Sequence, residues 1–155
     1  MTPARLGTIA ARYSHALRAV QFTATHGNLA NFPKECCHHA SYLFAIHILK
    51  CHNEEATVVF AKRGEASERR HVWVSLRGTI VDLTSGQFTD ESLPEYYVGS
   101  ATGWYSTWAV IASETLPMTA ERADRLLNGF YGEPFRLIEG FLATTPLEVG
   151  KWMLL

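Results

Sequence analysis

Cysteine is scarce in this chain: three residues in 155, Cys36, Cys37 and Cys51, too few and too oddly numbered for a disulfide framework. Cys36 and Cys37 are neighbours, which would pair with each other only under strain, so reduced thiols and a reducing compartment are expected. Long apolar runs are missing too. No stretch approaches the roughly 18 apolar residues of a membrane span. Residues 1–20 are interrupted by Arg5, Arg12 and Arg18, unlike a secretory signal. The expected location is therefore the cytoplasm, or export by a system that reads no such signal. Charge of one sign is also lacking: a net charge of −1 and a pI near 6.6 give no electrostatic reason to expect a nucleic acid or an anionic membrane as partner. Repeats, low-complexity tracts and linkers are absent.

What remains is globular. A hydrophobic share of 47% against 19% charged residues supports a buried core, and 155 residues fit one domain, 1–155. Residues 3–21 read as a helix, with Thr2 as cap, Pro3 at the first position, and Leu6, Ile9, Ala10, Tyr13, Ala16, Leu17 and Val20 on one face. Gly27, Asn28, Asn31 and Pro33 mark 26–34 as a loop. A second helix, apolar nearly all round and hence central, starts near 35–37 and runs to about Lys50.

The period then changes. Residues 56–62 (ATVVFAK) read as a strand, 63–70 as an exposed charged connection, and 71–76 with 79–83 as a hairpin turning on Arg77-Gly78. Turn-rich sequence follows, with a short strand near 96–98. Residues 104–112 (WYSTWAVIA) read as a strand, 119–128 as a helix capped by Thr119, and 134–143 as a last helix. The class is α+β: helices, an antiparallel sheet, then helices. The apolar terminus Trp152-Met153-Leu154-Leu155 either packs on the domain or marks a partner surface.

Chemistry concentrates in two places. Cys37 stands where an apolar helix begins. Unpaired amides at a helix start carry about half a positive charge, which favours a thiolate, the nucleophilic form of cysteine. The same amides can donate to an oxyanion beside the sulfur. The hairpin supplies the partners. A two-residue turn pairs Leu76 with Thr79, Trp73 with Asp82, and His71 with Thr84. His71 and Asp82 then share a face as diagonal neighbours roughly 7–8 Å apart at the backbone, within side-chain reach. Asp82 can fix the tautomer of His71, and His71 can take the thiol proton, which is the division of labour of a catalytic triad.

These segments resemble the papain/transglutaminase-like cysteine enzymes. HVWVSLRGTIVDLT is similar to that superfamily's His-x-Trp-x … Asp-x-Thr hairpin. ECCHHASYLF is similar to its nucleophile helix, where a small residue follows the cysteine by four and large apolar residues by six and seven. Counted from Cys37 these are Ser41, Leu43 and Phe44; counted from Cys36 they are Ala40, Tyr42 and Leu43. Both registers fit, and the more apolar pair favours Cys37. The resemblance covers residues 31–88. It departs from the pattern in its short His-to-Asp gap and in having Lys34-Glu35-Cys36 where a glycine usually precedes the nucleophile.

The resemblance implies a nucleophile helix packed on an antiparallel sheet and a Cys37–His71–Asp82 triad. Asn31, Cys36 and Trp73 are implied as neighbours of the substrate or oxyanion. It also implies thiol chemistry on a protein or peptide amide through a thioester, with no cofactor. An amidase or peptidase is the leading reading. A glutamine deamidase or transglutaminase of the bacterial effector kind, and an inactive binding module on the same fold, are the alternatives. A metal site is not expected. Adjacent helical residues point about 100° apart, so Cys36, Cys37, His38 and His39 cannot converge on one ion. Cys36 or Cys37 with His47, Cys51 or His52 lacks finger spacing. Cys51 reads as structural. His38 and His39 read as exposed or at the cleft rim, and 62–70 as a solvated loop.

Overall fold

A computed structural model describes residues 1–64 and 69–145. Helix α1 (Pro3–Ala19) begins as its sequence dictates: the Thr2 side chain accepts from the Arg5 backbone N–H at 3.2 Å, and Pro3 leads the first turn. Helix α2 (Cys37–His52) buries Ala40, Leu43, Phe44, Ala45, Ile46 and Ile48, which makes it the central helix. It stops at Asn53, whose left-handed backbone (φ 53°) turns its N–H back onto the Leu49 carbonyl at 3.0 Å.

Six antiparallel strands follow: β1 (Thr57–Arg63), β2 (Arg69–Leu76), β3 (Thr79–Asp82), β4 (Tyr97–Gly99), β5 (Ala109–Val110) and β6 (Leu116–Pro117). Their order is β4-β3-β2-β1-β5, with β6 also pairing β1. Helices α3 (Ala120–Leu127) and α4 (Gly132–Thr144) complete the fold. The α+β architecture is thus an open antiparallel sheet with helices before and after it.

The β2–β3 hairpin has the register expected from a two-residue turn, Leu76 opposite Thr79 and Val74 opposite Val81. Arg77 (φ 50°) and Gly78 (φ 82°) are both left-handed, the geometry that matches strand twist in such a turn. Strand alternation then divides the sheet between two cores. Val58, Val72, Val74, Leu76 and Val81 join the main core with α1 and α2. Val59, Ala61, Trp73 and Ile80 face a second cluster with Tyr105 and Trp108. Ser41 ties α2 to the sheet by donating to the Val72 carbonyl at 3.3 Å.

Several local expectations change. The 26–34 loop overlaps a kinked 3₁₀ segment, Ala24–Asn31, whose start is closed by the Thr23 backbone N–H donating to His26 Nδ1 at 2.9 Å. The strand expected over 104–112 is a 3₁₀ turn (Gly103–Thr107) followed by the two residues of β5. Ser106 and Thr107 hydroxyls donate to the carbonyls of Gly103 and Trp104, each at 2.6 Å, and these local bonds outcompete strand pairing. The charged run 62–70 is not simply a solvated loop. Lys62, Arg63, Arg69 and Arg70 lie in strands, and Arg63, Arg69 and Arg70 pair with Glu91, Asp90 and Glu114. Residues 65–68 and the apolar end Trp152–Leu155 lie outside the described residues. Among the described residues, no helix is long and apolar enough to cross a membrane.

Candidate active site

Asp82 ends β3 and is fully buried. Its carboxylate accepts four hydrogen bonds. Oδ2 takes one from His71 Nε2 at 2.6 Å and one from the Tyr105 hydroxyl at 2.9 Å. Oδ1 takes the Thr84 backbone N–H at 2.9 Å and the Thr84 hydroxyl at 3.2 Å. The Asp-x-Thr pattern has a local cause: the side chain of the first residue caps the backbone two residues on. Burial opposes the charge of Asp82, but the His71 cation and these donors together hold its carboxyl below the ordinary value.

His71 has no exposed surface. Rings of Phe88, Trp108, Trp73 and Trp104 surround it, with centroids 4.9, 5.7, 5.9 and 5.9 Å away. Burial alone would drive the imidazole towards neutrality. The Asp82 carboxylate, through charge and hydrogen bond, and the Cys37 side chain, through hydrogen bond and charge, outweigh it and raise His71 to about 9. With Nε2 committed to Asp82, Nδ1 is the nitrogen left for Cys37. The Gln87 side-chain amide also approaches Nδ1, at 3.4 Å.

Cys37 is the first residue of α2 and is half-buried. Cys36 occupies the N-cap position without a side-chain cap bond, so the first-turn amides have no side chain closing them from within the cap. Asn28 braces the approach by donating to the Glu35 carbonyl at 3.0 Å. Glu35 has φ 55°, the left-handed region that favours glycine. The backbone two residues before Cys37 is therefore strained, as chain segments next to reactive groups often are.

The neighbouring candidates separate clearly. Cys36 is wholly buried, and burial with the adjacent Cys37 pushes its thiol to about 12, so it is a packing residue. Asn31 lines a cleft of about 520 Å³ with Phe32, Lys34, Glu35 and Gln87. Trp73 is only 4% exposed, packs edge-on to Tyr105 and is not among the residues that line that cleft. His39 is not a free rim residue. Its Nδ1 meets the Tyr131 hydroxyl at 2.8 Å, its ring stacks on Phe130, and burial with His38 lowers it to about 4. Cys51, expected to be structural, is exposed.

Two contributors escaped the sequence reading. Tyr105 lies in a segment that reads only as a strand, and its hydroxyl donates to Asp82. Gln87 sits in the short 3₁₀ turn Ser85–Gln87, where nothing local signals its reach to His71. Outside the ring box, Arg63 lies over Trp104 and Trp108, with its guanidinium 5.6 and 5.3 Å from their centroids. Glu91 bonds both Arg63 and Trp104, fixing the outer wall.

No family model matches the chain, and no curated protein or solved structure matches it significantly.

Proposed function

We propose that this protein is a cysteine-dependent acyl-transfer enzyme on a papain/transglutaminase-like fold, with Cys37 as nucleophile, His71 as acid–base and Asp82 as the group that orients and charges His71. The observation that carries the reading is the fully buried His71–Asp82 pair, with the free side of the imidazole turned to a thiol at a helix start. A buried core histidine needs neither a carboxylate with four donors nor a neighbouring cysteine.

The chemistry follows from the arrangement. Cys37 passes its proton to His71 Nδ1, and Asp82 stabilises the resulting imidazolium through Nε2. The thiolate attacks an amide carbonyl in the cleft bounded by Asn31 and Gln87. In this reading the first-turn amides of α2, with the side chain of Asn31 or Gln87, receive the oxyanion. The imidazolium returns its proton to the leaving amine as the C–N bond breaks, leaving a thioester on Cys37. Water, activated by the now neutral His71, hydrolyses it in an amidase or peptidase.

Intact-protein mass spectrometry after mixing with a panel of activated peptide esters and amides tests this. The expected result is a mass increase equal to the acyl group, mapped to Cys37 and absent from Cys37→Ala. Acylation spread evenly over Cys37 and Cys51, or none from any ester, would remove the enzyme reading and leave a binding module.

A further inference from the structure

A second constellation lies apart from Cys37, His71 and Asp82, where the end of α2 meets α4. His47 and Cys51 are four residues apart on α2 and so project from one face of the helix. Glu139 comes across from α4. His47 Nδ1 stands 2.6 Å from Glu139 Oε1, and the Cys51 thiol donates to Glu139 Oε2 at 3.5 Å. One ligand-type atom from each of the three lies within 4.8 Å of the others. The group lines a cavity of about 280 Å³ together with His52, Arg12 and Leu142. The Arg12 guanidinium is occupied by the carbonyls of Leu142 and Thr145.

We propose that His47, Cys51 and Glu139 form a binding site for a zinc-type divalent cation. Sulfur, imidazole and carboxylate are together the donor set of a borderline-soft ion, and three protein ligands plus one open position is a common arrangement for it. Metal–ligand bonds of about 2.0–2.3 Å put tetrahedral donors about 3.3–3.8 Å apart, which the 3.5 Å between Cys51 Sγ and Glu139 Oε2 already matches and the 2.6 Å between His47 Nδ1 and Glu139 Oε1 must widen to reach. The ion takes the place of the His47–Glu139 hydrogen bond, whose proton passes by way of solvent to His47 Nε2, and Cys51 binds as thiolate, releasing its proton to solvent.

A separate observation points to the same spot. The Tyr13 hydroxyl is fully buried and has no hydrogen-bond partner among the described residues. Its ring lies 5.0 Å from that of His47. The arrangement is not a second catalytic triad, because Cys51 bonds the acid rather than the histidine. His47, at 8% exposure, anchors the ion, and exposed Cys51 and half-buried Glu139 give it a route in.

Cobalt(II) is the probe, because a cobalt–thiolate bond gives a charge-transfer band in the near ultraviolet. Chelator-stripped protein titrated with cobalt chloride alone is expected to show this band with one equivalent, in wild type and in Cys37→Ser alike. Cys51→Ser, a change at an exposed position, should erase it. Glu139→Gln should weaken binding at least about tenfold, the least that losing even an outer-sphere partner costs. Zinc chloride should raise the melting temperature of wild type and leave that of Cys51→Ser unchanged. No band at stoichiometric cobalt, or a band that survives Cys51→Ser, would overturn the proposal.

Discussion

Replacing Cys37 with alanine is expected to abolish turnover while leaving the fold intact. Removing the nucleophile of a hydrolase with this division of labour costs on the order of 10⁶ in kcat, because the remaining groups have no acyl acceptor to activate. Cys37 is small and half-buried, so the stability change should stay within about 1 kcal/mol. The adjacent residue should behave in the opposite way. Cys36 sits in the main core with no exposed surface, so Cys36→Ala opens a small cavity, lowers stability by about 1 kcal/mol and leaves turnover near wild type. Paired rate and denaturation measurements on the two variants check both statements. A reversal, with Cys36→Ala inactive and Cys37→Ala active, would move the nucleophile by one residue.

The second large effect is on stability and its pH dependence. Removing one partner of a buried ion pair strands the other, at a cost of about 3–5 kcal/mol. His71→Ala leaves Asp82 without its cation, and Asp82→Asn leaves His71 in its aromatic box without an anion, so each should lose that much. The sign with pH follows from the two shifts. His71 is raised to about 9, so its contribution is complete below the unfolded value near 6.5 and is lost as pH rises through 9. Asp82 is lowered, so its contribution is present above the unfolded carboxylate value and is lost as pH falls. Urea denaturation should therefore show wild type exceeding Asp82→Asn most around pH 5–6, with the gap narrowing towards pH 9 and beyond. A gap that is constant across that range would mean that the pair is not charged in the folded protein. Asp82→Asn should also lower turnover by up to about 10⁴ where it still folds, the cost of losing tautomer control in a triad.

Much of this site could be read from particular residues. The apolar run from Ala40 to Leu49 specifies a central helix that starts near 35–37, and α2 begins at Cys37. Arg77-Gly78 fixes a two-residue turn, and strand parity alone then puts His71 and Asp82 on one face. Thr2, Pro3 and Thr119 mark helix starts by capping chemistry, and Thr119 accepts from the Arg122 backbone N–H at 3.3 Å as its sequence implies. What stayed hidden depends on long-range packing or on side chains overriding the backbone pattern. WYSTWAVIA has strand composition, yet hydroxyl-to-carbonyl bonds at Ser106 and Thr107 accompany a turn that brings Trp104 and Trp108 to His71 and the Tyr105 hydroxyl to Asp82. Gln87 and Glu139 carry no local signal, because their partners come from β2 and α2. The spacing of His47 and Cys51 along α2 carries no finger pattern, and the third ligand-type side chain of the group does not lie on that helix. Glu139, 88 residues beyond Cys51, is what changes the geometry.

The thiolate–imidazolium pair is the central claim, and brief limiting iodoacetamide treatment from about pH 5 to about pH 9, read by peptide mass spectrometry, tests it most directly. Cys37 is expected to label ahead of Cys51 despite being less exposed, and to lose that lead in a folded Asp82→Asn variant. Labelling that follows exposure, with Cys51 first at every pH and no response to Asp82→Asn, would contradict the account.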